Sequence, residues 1–190
     1  MSGCRTLVIA HGRSELIFCR GLASNYRLEI AFDSEDNGNR CIQMSGLRGR
    51  LSSDVYRTEY DLHKEYPVLE YLEHKTVKMP RLRIFPIMDT DDSRLYEKRY
   101  RTGEMFTAST FKDRITPIYN SPNLDAVLRE CGFNTDHNNM GTYHKLVKEV
   151  NEMGLRGFID RLSECNRTET NLPVFLEHCR SVCRAKHRLK

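Results

Sequence analysis

The chain has 190 residues, of which 39% are hydrophobic and 29% charged, and 30 Lys and Arg against 26 Asp and Glu give a net charge of +4. This length suits one domain with a buried core, and the 9 tyrosines and 8 phenylalanines argue against disorder. No apolar stretch approaches the roughly 20 residues that cross a bilayer, and the N-terminal apolar run is too short for a signal peptide. We therefore expect a cytoplasmic protein without membrane association.

Arginine and cysteine usage bear on the partner and on the compartment. The basic residues are 21 arginines and only 9 lysines, and the planar guanidinium pairs well with phosphate. A solvated surface explains the same composition, so a nucleic-acid partner is compatible with it but not required. The 7 cysteines never occur as Cys-x-x-Cys, and we expect them to be reduced thiols.

The first elements are predicted to be a strand, a tight turn and a helix. The apolar run Thr6–Ala10 predicts a strand that ends at His11-Gly12, and a helix follows with Ser14 as its N-cap. The alternation over Arg27–Phe32 predicts a second strand. Residues 33–53 are rich in turn formers, with a short strand over Arg40–Met44.

The middle of the chain continues the alternation of helices and strands. Asp54–Lys78 predicts a long helix that is interrupted or bent at Pro67. Leu82–Met88 predicts a further strand, although Pro86 removes one hydrogen-bond donor from it. A strongly basic helix over Ser93–Arg101 follows.

The last elements are one strand and several helices. Arg114–Tyr119 predicts a strand, and Leu124–Cys131 predicts a helix that stops at Gly132. The sequence predicts an α/β fold, with a parallel sheet flanked by helices over residues 1–135 and a helical C-terminal extension over residues 136–190 packed on it. Beyond residue 135 we expect helices only, over His144–Met153, Gly157–Cys165 and Leu172–His187.

An acidic segment, Asp89-Thr90-Asp91-Asp92, follows the predicted strand that contains Pro86. Open α/β sheets bind ligands at the carboxyl ends of their strands, and Asp89 and Asp91 can converge there on one hard cation such as Mg²⁺. The alternative is an acidic turn in which Asp92 or Ser93 caps the next helix. Capping leaves Asp89 and Asp91 unexplained, because their like charges repel unless a cation lies among them.

His11 and Glu15 follow the first predicted strand. If the two strands are neighbours, these side chains emerge at the same edge of the sheet as Asp89 and Asp91. Glu15 would then complete a metal site or act as a general base. The alternative is that Glu15 only offsets the dipole at the start of the helix.

Together these segments resemble the Toprim domain, in which a strand ends in a turn with glycine and an acidic residue, and a later strand ends in Asp-x-Asp. Two further stretches are similar to the RloB-like (AbiLii-like) Toprim proteins of bacterial phage-defence loci. Asn120-Ser121-Pro122-Asn123-Leu124-Asp125 resembles their Ser-Asn-Pro-x-Phe-Glu, and Glu169-Thr170-Asn171-Leu172-Pro173-Val174 resembles their late Thr-Asn-Val segment.

The resemblance implies a Toprim-like sheet of four parallel strands and a Mg²⁺ (or Mn²⁺) dependent nuclease that acts on DNA or RNA in abortive infection. It also implies an ATPase partner from the same locus. Asp89 and Asp91 match the metal ligands, Glu15 matches the second acidic residue, and Gly12 matches the motif glycine. His11 stands where the family has its glutamate, the usual general acid/base.

Two readings therefore stay open. Histidine can act as a general base near neutral pH, which gives a variant nuclease with His11, Glu15, Asp89 and Asp91 as its catalytic residues. The alternative is a catalytically inactive Toprim-like module that binds nucleic acid or the partner ATPase. A small-molecule phosphotransferase is disfavoured, because the sequence has no P-loop or other glycine-rich phosphate cradle.

Four arginines are candidates for contacting nucleic acid. Arg13 lies inside the first motif and Arg94 follows the second, where each would offset charge on a phosphate. Arg48 and Arg50 lie in the stretch 46–50, which reads as a loop that could touch a nucleic-acid backbone. An ordinary solvated surface explains the same residues.

The last helix carries Cys179, Cys183 and His187, four residues apart. This spacing places them on one face, which suggests zinc. Both cysteines also fall in the apolar stripe of the helix, where cysteine behaves as a small hydrophobic residue. We therefore expect them to belong to the core.

Overall fold

The molecule is a five-stranded sheet with helices on both faces. The structure is a computed structural model that describes residues 5–72, 78–91, 94–136 and 139–188, with side chains up to residue 183 in the last helix. None of the helices within those ranges is both long enough and apolar enough to cross a membrane. The strands are β1 (Thr6–Ala10), β2 (Ile30–Asp33), β3 (Arg83–Asp89), β4 (Ile118–Ser121) and β5 (Glu169–Thr170). The α-helices are α1 (Arg13–Asn25), α2 (Met44–Leu51), α3 (Glu59–Glu65), α4 (Arg94–Arg101), α5 (Leu124–Glu130), α6 (Met140–Ser163) and α7 (Leu172–Arg188).

The strand order is β2-β1-β3-β4-β5, in which the first four strands are parallel and β5 runs antiparallel to β4. The predicted α/β fold with C-terminal helices is confirmed, and the arrangement is consistent with a Toprim-like sheet. The expectation of no strand after residue 135 is wrong, because β5 extends the sheet. Two residues are too few for an alternating pattern, and β5 is held by non-local bonds: Thr170 Oγ1 donates to the Tyr119 carbonyl at 3.0 Å.

Alternate residues of the central strands point into two different cores. Val8 and Phe85 face a core that includes α1, α5, α6 and α7, whereas Leu7 and Ile84 face a core under α2 and α4. Strands buried on both faces need near-continuous apolar sequence. All five residues of β1 are accordingly buried.

Pro86 lies in central strand β3 without breaking it. His11 N–H donates to the Ile87 carbonyl at 3.0 Å, so the polar groups of Pro86 face β4 instead of β1. On that side β3 pairs through Ile84 and Ile87, on either side of Pro86, and the proline removes one N–H donor from the ladder between them. The Tyr100 hydroxyl fills the gap, with its oxygen 2.7 Å from the Pro86 carbonyl oxygen and 2.8 Å from that of Ile118.

Helix α1 begins one residue after Gly12, which is its N-cap. The prediction of Ser14 as the cap is wrong, because Ser14 already lies in the first helical turn. The Glu15 side chain provides the cap instead, since its Oε2 accepts the Gly12 N–H at 2.9 Å. A Cβ on residue 12 would lie 3.2 Å from Cys41 Sγ, so glycine suits this close approach.

Two predictions between β2 and β3 are wrong. The long helix over Asp54–Lys78 is a 3₁₀ turn (Asp54–Tyr56) followed by the short helix α3, and residues 73–77 lie outside the described residues. Thr58 caps α3 by accepting the Asp61 N–H at 3.1 Å, and Pro67 disfavours helical backbone in the residue before it. The predicted strand over Arg40–Met44 is not formed. The segment is irregular up to the start of α2, and α2 begins at Met44 and packs its Met44 and Leu47 side chains into the core.

The C-terminal helices share a core with the rest of the fold. Helix α6 spans both helices predicted between residues 144 and 165, with a break at Gly154, where φ is 78°. Cys179 is 1% exposed in the core that contains α1 and α7, which confirms the interpretation of the apolar stripe for this residue. Cys183 is only partly buried against the same core, and the side chain of His187 lies outside the described residues. The boundary at residue 135 remains a prediction.

Cys131 and Cys165 are joined by a disulfide. The expectation of reduced thiols is therefore wrong for this pair. The two residues follow the ends of α5 and α6 and are 34 positions apart, so no spacing motif points to their pairing.

The contact between α1 and α6 depends on Gly21. A Cβ there would lie 2.5 Å from Val147 Cγ2 and 2.9 Å from its Cγ1. We expect Gly21→Ala to lower the free energy of unfolding by about 1–3 kcal/mol, because the overpacked helices must separate. Urea unfolding measures the change.

The matched control is Gly46→Ala on α2, where a Cβ meets nothing within 4 Å. This variant should gain about 0.5–1 kcal/mol from the helix preference of alanine. Equal stabilisation by both variants would contradict the close packing of α6 on α1.

Candidate functional site

A cavity of about 360 Å³ lies at the carboxyl ends of β1 and β3. We call it the acidic cavity, because four carboxyl groups line it. It brings together the four predicted catalytic residues and Arg13, while their roles stay predictions. Its lining residues are His11, Gly12, Arg13, Ser14, Glu15, Gly38, Cys41, Asp89, Asp91, Asn123 and Asp125.

Glu15 is a buried carboxylate on the first turn of α1, 2% exposed. Its Oε2 accepts the Gly12 N–H, whereas its Oε1 is buried without a hydrogen-bond partner in the part of the chain that the structure describes. Burial raises the pKa of Glu15; the electrostatic effect of the neighbouring His11 opposes the shift, and the negative charge of Asp125 adds to it. A buried carboxylate oxygen with no partner is costly unless something cationic or protonated meets it.

Asp89 is the last residue of β3. Its Oδ1 accepts the Leu124 N–H at the start of α5 at 3.0 Å. Burial raises the pKa of Asp89 well above its ordinary value, and the charge of Glu15 raises it further. Asp89 and Glu15 therefore form a pair of mutually repelling, desolvated carboxyl groups.

Asp91 and Asn123 form the open rim of the acidic cavity. Asp91 is exposed, and its Oδ2 accepts from Asn123 Nδ2 at 2.8 Å. Asn123 also caps α5, because its Oδ1 accepts the Ala126 N–H at 2.9 Å. The hydrogen bond that caps α5 therefore fixes the side chain of Asn123, which donates to Asp91.

Asp125 is a buried acid of the site that sequence reasoning did not select. It is 7% exposed, and its Oδ1 accepts from the Tyr143 hydroxyl of α6 at 2.9 Å. Burial raises the pKa of Tyr143, and the charge of Asp125 contributes to that shift. A signal was present, because Asp125 stands at the acidic end of the Asn120–Asp125 stretch on which the resemblance rests. Cys41 and Gly38 had no comparable signal, since only the fold brings them to this edge.

His11 is held by backbone on both sides. Its carbonyl accepts the Ile42 N–H at 2.7 Å, and its Nδ1 lies 3.1 Å from the Ile42 carbonyl oxygen. A carbonyl only accepts, so Nδ1 carries the proton in this contact. A neutral imidazole then has its lone pair on Nε2, which is the form that a general base requires.

The donor set fits a hard cation that takes part of its coordination shell from outside the protein. Within the described residues, no group of three or more His, Cys, Asp or Glu side chains is arranged to hold a metal ion. Mg²⁺ requires only one or two carboxylates, with water and substrate phosphate as its other ligands. The unpartnered Glu15 Oε1 and the raised pKa of Asp89 match that requirement, whereas an all-protein zinc site finds no support in these residues.

The four candidate arginines are placed differently from one another. Arg13 is exposed in the lining of the acidic cavity, and Arg94 is the first residue of α4. The prediction of a loop over residues 46–50 is wrong, because Arg48 and Arg50 lie on α2. Arg50 is bound to Asp33 through two of its nitrogens.

Asp92 and Ser93, the alternative helix cap, lie outside the described residues.

The repulsion between the Asp89 and Glu15 carboxyl groups should lower the stability of the folded protein. We expect Asp89→Asn to raise the free energy of unfolding at pH 7 by about 1–2 kcal/mol, because the amide keeps an acceptor for Leu124 N–H and removes the repelled charge. A carboxyl with a raised folded pKa costs stability above its unfolded pKa, so the gain should shrink as the pH falls towards 4. Urea unfolding at several pH values measures it.

The control for that experiment is Asp160→Asn, which removes an exposed carboxylate that pairs with Arg156 on α6. It should change stability little at any of these pH values. A destabilised Asp89→Asn at pH 7 would show that its charge supports the fold and would remove the electrostatic argument for the site.

The side chains of the acidic cavity and the sequence resemblance are the features that point to a function. In comparisons with known proteins, no family model, no curated protein and no solved structure matches the chain.

Proposed function

We propose that the chain is a Toprim-type nuclease that hydrolyses phosphodiester bonds of DNA or RNA with Mg²⁺ or Mn²⁺. The observation that carries the proposal is that buried Glu15 and half-buried Asp89 line one cavity, where both carboxyl groups are desolvated and the charge of Glu15 raises the pKa of Asp89. Clustered carboxyl groups with raised pKa values mark sites that bind cations or move protons. The position at the carboxyl edge of a parallel sheet adds support.

In this proposal Glu15, Asp89 and Asp91 would hold the cation, with one or two of these carboxylates as direct ligands and water and substrate phosphate as the others. When bound there, the cation would supply a water of lowered pKa and offset negative charge on the phosphate. His11 accepts the proton of the attacking water at Nε2, because its Nδ1 is held by the Ile42 carbonyl. Arg13 stabilises the additional negative charge that develops on the phosphate oxygens.

The resemblance adds the biological setting of the proposal. On the similarity to RloB-like Toprim proteins we further propose a role in phage defence, with an ATPase partner that gates the nuclease. The four parallel strands and the acidic pair at the ends of β1 and β3 agree with the arrangement that this resemblance implies.

The second candidate is a catalytically inactive Toprim-like module that binds nucleic acid or the partner ATPase. The finding that favours it is the lack, among the described residues, of three or more ligating side chains arranged around one point. Histidine in place of the usual glutamate at position 11 points the same way. The two candidates differ in whether the acidic cavity binds a cation and cleaves.

Cation binding should be visible in the thermal stability of the protein. We expect millimolar Mg²⁺ or Mn²⁺ to raise the Tm of the wild-type protein, since a ligand that binds only the folded state stabilises it. Asp89→Asn should lose this rise and should lose cleavage of single- and double-stranded DNA and RNA. Asp160→Asn should keep both. If the wild type shows neither a Tm shift nor cleavage, the result favours the inactive module.

The identity of the general base is tested by His11→Gln. We expect it to lower the cleavage rate by about 10²–10⁴-fold while the rise in Tm with Mg²⁺ persists, because His11 is not one of the proposed ligands. His144→Gln is the matched control, since His144 is exposed on α6. Unchanged cleavage by His11→Gln would assign the base to Glu15.

A further inference from the structure

A second cavity, of about 630 Å³, lies at the carboxyl end of β2. We call it the β2 cavity. Its aromatic lining is Phe32, Tyr56 and Tyr66, and its small polar lining includes Ser34, Ser53 and Asn37. A volume of this size is typical of sites for small organic ligands.

A fixed guanidinium lies in the lining of the β2 cavity. Arg50 Nε donates to Asp33 Oδ2 at 2.8 Å, and Arg50 Nη1 donates to Glu35 Oε2 at 2.9 Å. Arg50 Nη2 donates to the other oxygen of Asp33, and the Tyr56 hydroxyl donates to Asp33 as well. Three of the five N–H groups of Arg50 are thus used by acids among the described residues, and its side chain is 26% exposed.

The charges of the β2 cavity argue against a phosphate there. The positive charges of Arg20 and Arg50 are matched by Asp33 and Glu65 in the same lining, and Glu35 adds a further negative charge on Arg50. A phosphate needs an excess of positive charge or of free N–H groups. A neutral planar heterocycle needs only aromatic faces and hydrogen-bonding groups at its edge, and the β2 cavity offers both.

The β2 cavity and the acidic cavity are neighbours on one edge of the sheet. Strands β2 and β1 are paired, and the 3₁₀ turn Glu35–Gly38 lies between the two cavities: Asn37 lines the β2 cavity and Gly38 lines the acidic cavity. Asp36, Asn37 and Gly38 all have positive φ, at 46°, 53° and 84°. Three consecutive left-handed residues are unusual, and such strain is concentrated at functional sites.

We propose that the β2 cavity binds one nucleobase of the nucleic acid whose phosphodiester lies in the acidic cavity. The inference rests on the proposed nuclease function and deepens it, since it assigns a base-binding site beside the phosphate. The base lies against Phe32 or Tyr66, and its polar edge meets Arg50 and the small polar residues. Phosphate contacts fix the register and orientation of a strand on the protein, while base contacts carry the sequence information.

The test uses a pair of matched substitutions on α2. Gly49 lines the β2 cavity and Gly46 does not, and a Cβ at either position meets nothing within 4 Å. Both Gly49→Phe and Gly46→Phe should therefore fold, but only Gly49→Phe fills the cavity. Binding of the four ribonucleosides and four deoxyribonucleosides, which carry no phosphate, is measured by NMR saturation transfer and titration without metal.

We expect at least one nucleoside to bind the wild type and Gly46→Phe, and its affinity to fall at least tenfold in Gly49→Phe. Inorganic phosphate should not compete. Equal nucleoside binding by the two variants, no nucleoside binding by the wild type, or competition by inorganic phosphate overturns the base site.

A second measurement separates this inference from the nuclease function itself. Cleavage of an oligonucleotide series with one abasic position moved along the strand should slow at least tenfold when the missing base adjoins the cut. Cleavage that is indifferent to every abasic position and to Gly49→Phe overturns the base site and leaves the nuclease standing. Nucleoside binding with no cleavage of any substrate overturns the nuclease and supports the base site alone.

Discussion

The parallel pairing of β1 with β3 is the constraint on which the acidic cavity depends. The register sets Ala10 opposite Ile87, so the two strands end at nearly the same level. His11 leaves one strand and Asp89 ends the other, and helix α1 starts immediately with Glu15 in its first turn. Any shift of register would separate these groups, and the buried apolar faces of both strands resist such a shift.

The site is electrostatically costly. Glu15 caps α1 and stabilises the fold, yet its second oxygen is buried without a hydrogen-bond partner among the described residues, and desolvation together with the charge of Glu15 raises the pKa of Asp89. A protein under selection for stability alone would have little reason to keep both as acids. The same two carboxyl groups would bind a cation placed between them. Functional sites commonly lower the stability of the fold in return for such binding.

In the proposed function, the two cavities receive different parts of one nucleotide. The acidic cavity has carboxylates and Arg13, which suit a cation and a phosphate. The β2 cavity has balanced charges and aromatic walls, which suit a base. The strained turn Glu35–Gly38 lies between them, so one short segment sets the spacing of both.

Local sequence patterns determined much of the fold. Thr6–Ala10 is a strand over the predicted residues, because a short apolar, β-branched run that ends at a glycine turn is typical of a buried strand. The strand before Asp89 survives its proline, since tertiary pairing leaves a gap there that Tyr100 fills. Predictions were wrong where non-local contacts outweighed local pattern: α3 is short, Arg50 lies on a helix, and Glu169–Thr170 is a strand.

For the candidate site, the sequence predicts which residues are candidates for the chemistry: two acids after one strand, and a histidine and a glutamate after another. Their spacing along the chain says nothing of which strands are neighbours, so only the tertiary structure decided that His11, Glu15, Asp89 and Asp91 share one cavity. It also added Asp125, whose burial depends on Tyr143 of a distant helix. The physical reason is that desolvation and charge repulsion depend on three-dimensional distance, which sequence separation does not encode.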